Sequence, residues 1–285
     1  MKTMKYECHG HIMADGVSYA GAAARHGAGP DEKAVRAALS ALREHGVTFF
    51  RDGGDKFGAS RLAKTLAPEY GMDYRTPCFI IHRAGYYGEL YGKAYRDMRE
   101  ARELMREAKR QGADFIKIAV SGMLDFMSDG RVMGNAIDRA EIRELTRMAS
   151  GEGLRVMAHC NGAVNIKNAL EAGITSIEHG FWIDREGVHT LVETGAIWTP
   201  TLAPVANLVG ANTGFSENAL RAILSSHREL LAYARDKGAL IASGSDCGAR
   251  GVPHGQGTDD ELRYLAELDI DPSPANARVF ELFRQ

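Results

Sequence analysis

Short β-branched or apolar runs alternate along the chain with longer segments whose apolar residues recur at helical spacing. The runs at 4–11, 47–52, 76–82, 113–120, 154–160, 174–179, 196–199 and 239–246 read as strands. Helical periodicity covers 31–45, 58–70, 95–111, 139–152, 162–172, 185–194, 216–237 and 258–268. Asp138, followed three residues later by Glu141, reads as a capping box opening the fourth helix. Strands alternating with helices predict parallel βα units, and eight such units close into a (β/α)8 TIM barrel of the α/β class. The competing architecture is a doubly wound open sheet, which would carry a glycine-rich phosphate turn after its first strand. Here the first strand runs instead into histidines and an Ala/Gly stretch, Gly16 to Gly29, that reads as a loop. No Pro/Gly linker parts the chain, so residues 1–285 are expected to form one barrel domain.

Several polar residues interrupt these apolar strands near their C-terminal ends. His9 and His11 are two apart at the end of the first strand, so both imidazoles face one side. Lys117 lies inside Phe115-Ile116-Lys117-Ile118-Ala119-Val120, where a lysine is costly unless neutralised or paired. His159, His179 and Asp246 end the fifth, sixth and eighth strands. The C-terminal rim of a barrel is where active sites are built. Imidazole and carboxylate are good ligands for zinc-class ions. Two such ions, about 3.5–4 Å apart, can polarise a carbonyl and activate water. A buried lysine amine, deprotonated by desolvation, could supply a bridging carboxylate by reacting with CO2. Taken singly, each residue has a plainer reading: a satisfied core histidine, an ion pair for Lys117, a turn cap for Asp246. Their joint placement on one rim is what argues for a site.

The chain resembles the amidohydrolase superfamily, in particular the binuclear members similar to imidazolonepropionase and the Xaa-Pro/Xaa-Arg dipeptidases. The resemblance rests on His9-Gly10-His11, Phe115-Ile116-Lys117-Ile118, Ala158-His159-Cys160-Asn161-Gly162, Ser176-Ile177-Glu178-His179-Gly180, Pro200-Thr201-Leu202 and Gly244-Ser245-Asp246-Cys247-Gly248. It implies two divalent metal ions, zinc by default, and a carbamate on Lys117. His9, His11, Lys117 and Asp246 would hold one ion, and Lys117, His159 and His179 the other. Asp246 would also shuttle the proton from an attacking hydroxide to the leaving group. The family often adds a small β-sandwich from both termini; this sequence starts its first strand too early to build one, so a bare barrel is expected. The approach Tyr6-Glu7-Cys8 also departs from the Asp that usually precedes the first histidine.

Around this core lie weaker candidates. His82 ends the third strand, shares a face with Cys78 and Ile80, and in similar dipeptidases would hydrogen-bond the substrate carbonyl. Tyr86, Tyr87 and Tyr91 follow in a glycine-rich loop, as an oxyanion donor or a lid. Arg83, Arg131 and Arg250 could hold a substrate carboxylate bidentately, although loop arginines are usually surface charges. His254 follows the eighth strand near the expected mouth and is a candidate substrate contact. Asp52 is a candidate brace for a metal ligand. His26, His45, His189 and His227 read as solvated. Cys8, Cys160 and Cys247 adjoin ligands, but alternation turns them outward as small hydrophobes.

Composition narrows the function classes without changing this reading. Among 285 residues, 45% are hydrophobic and 25% charged, with a net charge of −2, which leaves no basic face for nucleic acid. No apolar run reaches the ~20 residues of a membrane span. The N-terminal segment has no apolar core of a signal peptide, and the four cysteines show no C-x-x-C pair, so a reducing cytoplasm is expected. Barrels of this class often self-associate, so a homo-oligomer is one expectation. The substrate is then a small molecule: an amide-like bond in a small peptide or N-acyl amino acid. Alternatives are an ester, lactone or phosphotriester hydrolase on the same site, and a non-catalytic metal- or ligand-binding barrel. A mononuclear deaminase fits less well, because His159 is not followed by the His-x-x-Glu pattern.

Overall fold

A computed structural model describes residues 4–283. Its strands are β1 (Lys5–Gly10), β2 (Val47–Asp52), β3 (Asp73–Arg75), β4 (Ile80–Arg83), β5 (Gly92–Tyr95), β6 (Ile116–Ala119), β7 (Val156–Cys160), β8 (Ser176–His179), β9 (Ile197–Thr199) and β10 (Leu240–Ile241). The α-helices are α1 (Tyr19–His26), α2 (Glu32–Glu44), α3 (Ala59–Leu66), α4 (Met98–Arg110), α5 (Arg139–Gly151), α6 (Ala163–Glu171), α7 (Arg185–Thr194), α8 (Ala203–Ala206), α9 (Glu217–Asp236), α10 (Gln256–Ala266) and α11 (Ser273–Leu282). Every paired strand is parallel, as the βα alternation requires.

The strands run β1-β2-β3 in one sheet and β10-β9-β8-β7-β6-β4-β5 in the other. Backbone hydrogen bonds link the two. On one side Cys8 N donates to Ser243 O (2.9 Å), Asp246 N to His9 O (2.7 Å) and His11 N to Cys247 O (2.7 Å). On the other, Asp114 N donates to Thr76 O (2.9 Å), so the third stave continues between β2 and β6. The third stave is therefore in two pieces, β3 just ahead of the expected strand 76–82 and β4 at its end. Pro77 has no N–H to give a ladder, and Cys78 turns to φ 67°, which ends β3 and restarts the chain as β4. β5 is an additional strand on the edge of β4 that an uninterrupted barrel would turn toward β2.

Helix boundaries follow local chemistry. Asp138 accepts a hydrogen bond from Glu141 N (2.8 Å), so the cap on α5 forms. The reciprocal half of a capping box does not, because the Glu141 carboxylate is taken by Arg83 (2.6 and 2.7 Å) and Tyr95 (2.8 Å). The stretch Gly16 to Gly29 is a loop only in part. Ser18 caps Gly21 N at 3.2 Å, and an alanine-rich segment with high intrinsic propensity forms α1. Its helical periodicity is weak because only Ala22 and His26 are buried.

Successive inward positions stack the barrel interior in layers. Phe49, Phe115, Met157 and Ile197 form an apolar floor. α11 plugs that floor from below, with Phe283 edge-on to Phe115 (ring centroids 5.2 Å, 90°). Two residues further along the same strands stand Arg51, Lys117, His159 and Thr199, so apolar floor gives way to polar rim within one pleat. No described helix is long and apolar enough to cross a membrane.

Candidate metal centre and cavity

His9, Lys117, His159 and His179 are buried at the C-terminal rim, with His11 beside them and Asp246 slightly more open. His9 Nε2 lies 3.6 Å and His11 Nε2 3.7 Å from Asp246 Oδ1. Ring centroids are 4.9 Å apart for His9–His179 and 4.6 Å for His159–His179. One ligand atom from each of His9, His179 and Asp246 falls within 4.8 Å of the others. That trio draws on strands assigned by the sequence to two different ions.

Three of the four imidazoles, those of His9, His159 and His179, are oriented by their other nitrogen, the usual arrangement behind a metal ligand. His9 Nδ1 meets Glu178 Oε2 at 2.5 Å, leaving Nε2 for the site. His179 Nδ1 meets Thr201 Oγ1 at 2.9 Å. His159 Nε2 donates to Gly122 O at 3.1 Å, leaving Nδ1 free. Glu178 is itself held by Arg51, whose Nη2 reaches both carboxylate oxygens (3.0 and 3.1 Å), Ser176 Oγ (3.2 Å) and Thr199 Oγ1 (3.1 Å). Arg51 and Glu178 are both 0% exposed. The Arg51–Glu178–His9 chain thus joins β2, β8 and β1 in the buried interior and ends at the candidate centre.

Burial sets the protonation states. Desolvation, then the Lys117 charge, pushes His11 to about 3 and His159 to about 3. Burial and the neighbouring cations hold His9 and His179 well below the usual histidine range. All four are therefore neutral imidazoles, the form that coordinates a cation. Burial lowers Lys117 to about 8, against the pull of Glu178. Burial raises Asp246 to about 7, opposed by Lys117.

The backbone is strained where these residues sit. His179 (φ 68°), Thr201 (φ 49°) and Asp246 (φ 56°) adopt left-handed conformations. Each costs on the order of 1–3 kcal/mol and persists only where surroundings enforce it. For His179 one such enforcer is Trp198 Nε1, which donates to the His179 carbonyl at 2.9 Å. The backbone also packs closely on the His11 ring, which a Cβ at Gly53 would approach to 2.2 Å.

Above the rim opens a cavity of about 260 Å³. Its lining includes His11, Lys117, His159, His179 and Asp246 of the six expected ligands. Tyr87 and Tyr91 also line it, tilted over His159 (4.5 Å) and stacked on His11 (4.4 Å, 27°). Arg250 is at its wall. Other expected contacts are absent from the lining. His82 is 1% exposed, packed beneath Gly88 and Gly92, with Nδ1 on Arg83 O (3.0 Å) and Nε2 3.5 Å from Glu89. Ile80, two residues earlier, faces the cavity instead. Arg83 is committed to Glu141, and Tyr86 lies against the Arg83 guanidinium (5.8 Å). His254 reaches the outer side of the first-strand loop, at His11 O (3.3 Å), and lines a separate hollow.

Other residues correct or extend the sequence reading. His26 and His227 are buried, not solvated; His227 donates through Nε2 to Pro200 O (2.9 Å) and stacks on the cavity residue Phe181 (4.2 Å). Asp52 accepts from Ile12 N (3.0 Å) and Tyr74 OH (2.6 Å), bracing the chain just after His11 rather than a ligand ring. Cys8, Cys160 and Cys247 are buried free thiols, in keeping with their outward register. Glu178, Arg51 and Thr201 were missed as functional. The signal existed for the first two: like Lys117, each is a charge inside an apolar strand.

The donor set of the rim suits divalent cations. Three polar atoms of the expected ligands, His9 Nε2, His11 Nδ1 and Lys117 Nζ, are buried with no hydrogen-bond partner. Unpartnered polar groups at that depth are costly and call for an explanation. A cation between neutral imidazoles and a carboxylate supplies one. Fold and site together define a TIM barrel with a histidine-, lysine- and aspartate-lined rim suited to metal. Residues 31–276 match the Amidohydrolase family profile, and the chain belongs to that family. Ochratoxinase of Aspergillus niger is 27% identical over 243 residues, covering 84% of this chain and 46% of that protein. The chain therefore spans about half the length of the curated relatives it matches. Two solved structures share the fold. A Xaa-Pro dipeptidase with bound methionine has a TM-score of 0.76 at 21% identity, covering 98% of this chain and 75% of the other. The A. niger ochratoxinase structure has 0.75 at 23%, covering 95% and 68%.

Proposed function

We propose that the chain is a metal-dependent amidohydrolase that cleaves an amide-like bond in a small molecule, such as a small peptide or an N-acyl amino acid. The observation that carries this reading is the unpartnered Lys117 amine among neutral histidines and Asp246 at the barrel rim. At about 8, that amine is partly unprotonated near neutral pH. Its lone pair can bond to the carbon of CO2 with loss of a proton, leaving a carbamate on Lys117. His9, His11, Lys117 and Asp246 would then hold one divalent ion, and Lys117, His159 and His179 a second, zinc by default. When bound, such ions polarise a carbonyl and acidify water. Asp246, raised to about 7, is suited to accept a proton at its carboxylate and return it to the leaving nitrogen. Tyr87 and Tyr91 cover the histidines and exclude bulk water. Kinship with the amidohydrolase family supports the choice of bond. Four free, buried cysteines fit a reducing compartment, and we place the protein in the cytoplasm.

The test is metal content together with a hydrolysis screen. Purified protein reconstituted with zinc, manganese or cobalt is expected to hold two ions per chain and to cleave members of an N-acyl amino acid and dipeptide library. Two ions without cleavage of any amide, ester, lactone or phosphotriester would leave a non-catalytic metal-binding barrel. Cleavage confined to esters, lactones or phosphotriesters would transfer the site to those substrates.

A further inference from the structure

The cavity wall carries a charge pattern that distinguishes between the two substrate types just named. Above the ligand rim the wall is built from Tyr87, Tyr91, Phe126, Phe181, Leu208 and Phe215. Among the described residues that line the cavity, the only acid is Asp246 and the only basic side chains besides the histidines are Lys117 and Arg250. Asp246 and Lys117 belong to the rim. The wall itself therefore offers a single charge, the Arg250 guanidinium.

Arg250 is held in place yet electrostatically uncommitted. Its guanidinium lies 5.1 Å over the Phe215 ring, and Nη2 donates to Thr213 O at 3.3 Å. No carboxylate among the described residues comes within ion-pair distance of it. A planar fork of five donors with one engaged can still receive a carboxylate bidentately. Stacking on an aromatic ring reduces the conformational freedom lost when it does.

A free ammonium meets the opposite situation. Two acids adjoin lining residues: Glu89, next to Leu90, which Lys56 already binds through its backbone oxygen (2.6 Å) and carboxylate (3.2 Å), and Asp125, between Leu124 and Phe126, whose carboxylate accepts from Met127 N (2.9 Å), Ser128 N (3.2 Å) and Ser128 Oγ (2.5 Å). An ammonium entering the cavity would be desolvated against aromatic rings, at a cost of several kcal/mol. Cation–π contact with those rings returns only about 0.5–2 kcal/mol. A rim that holds cations repels it further.

We propose that the substrate is an amino acid acylated on nitrogen by an apolar group, with its free carboxylate bound by Arg250, and that dipeptides with a free N-terminus are disfavoured. This rests on the amidohydrolase reading above. It selects the N-acyl amino acid over the small peptide and gives Arg250 the specificity role.

Three matched compounds test it on the metal-loaded protein. N-(3-phenylpropanoyl)-leucine and phenylalanyl-leucine differ only in the ammonium. N-(3-phenylpropanoyl)-leucinamide lacks the carboxylate. The acyl amino acid should exceed both others in kcat/KM by at least about tenfold, a difference that one unpaired buried charge readily produces. In Arg250→Met the ratio of carboxylate to carboxamide substrate should fall to about one. Equal or faster cleavage of phenylalanyl-leucine, or an unchanged ratio in Arg250→Met, overturns the proposal. Calorimetric binding of the same compounds separates it from the hydrolase reading. If none is cleaved but the acyl amino acid alone binds, and Arg250→Met abolishes that binding, the specificity stands and the hydrolase reading falls. If all bind equally, the specificity proposal falls whatever the activity.

Discussion

Replacing Glu178 by glutamine reaches a fully buried ion pair inside the barrel. The side chain keeps its volume and loses its charge. Arg51 then holds a guanidinium at 0% exposure with its anionic partner gone. Ser176 and Thr199 remain as acceptors, but neither is charged. Removing one member of a buried ion pair costs about 3–5 kcal/mol. Unfolding entropy of about 2.1 cal/mol/K per residue amounts to about 0.6 kcal/mol/K for a chain of this length. The Tm of chelator-treated Glu178→Gln should therefore fall by about 5–8 °C. His9 also loses the anion that meets its Nδ1 at 2.5 Å, so its Nε2 becomes a poorer donor to a cation. Loss of such an outer partner typically costs about 10–100-fold in metal affinity.

A double variant separates the two effects. Arg51→Met with Glu178→Leu removes both charges and roughly conserves volume. Apolar replacement of a buried pair is often neutral or stabilising, so the Tm should return to within about 2 °C of the parent. Metal affinity should remain depressed, because nothing then anchors the His9 ring. Differential scanning calorimetry gives the first quantity, and competition against a chromogenic chelator gives the second. A Glu178→Gln protein melting within about 1 °C of the parent would refute the buried-pair energetics. A double variant with parental metal affinity would refute the positioning role.

Three further substitutions probe other parts of the structure. Lys117→Met should abolish metal uptake yet raise the Tm of the metal-free protein at pH 7 by about 5–6 °C, since burial lowers the lysine to about 8 and so penalises its charged form in the fold; a lower Tm would show that Lys117 is paired in the metal-free state. Gly53→Ala would put a methyl 2.2 Å from the His11 ring, so metal binding should fall at least about tenfold with far-UV circular dichroism unchanged, and parental affinity would contradict the packing. Asp259 is partly buried, but bonds from Lys5 and His45 hold its carboxyl below the usual range. Its stabilising contribution is present above the unfolded-state value of about 3.9 and is lost as pH falls through the lower folded value. Asp259→Asn should therefore lower the urea midpoint at pH 7 and differ less from the parent at pH 3; equal differences at both pH values would exclude the linkage.

Much of the fold is legible in the sequence, because its signals are local. Period-2 alternation and helical spacing depend only on neighbours in sequence, and they located the eight staves and most of the helices. The exceptions are places where local signal and final state diverge. α1 is an alanine-rich helix with little burial, so it carries little periodicity to read. The expected strand 76–82 holds only β4, because Pro77 and Cys78 interrupt the ladder, and β3 lies just before it. β5 exists because an edge of β4 was left unpaired, a vacancy that no local pattern records.

The candidate site divides the same way. Histidines, a lysine and an aspartate in apolar strands, at strand ends, are chemical anomalies visible in one dimension. A barrel that sets parallel strands in register then brings their ends onto one rim, and five of the six expected ligands line the cavity. Orientation within that rim belongs to tertiary structure alone. His82 has the right register on its strand, yet the Gly88–Gly92 segment packs over its ring, and Ile80 faces the cavity in its place. Arg83 and Arg250 are indistinguishable as loop arginines. Only the fold brings Glu141 to the first and leaves the second without an anion. Likewise Glu178 acquires its role from Arg51, 127 residues away, and from His9, 169 residues away. Residue chemistry and strand periodicity are properties of the chain, whereas the partner that satisfies or exposes a charge is decided by which distant segment packs beside it.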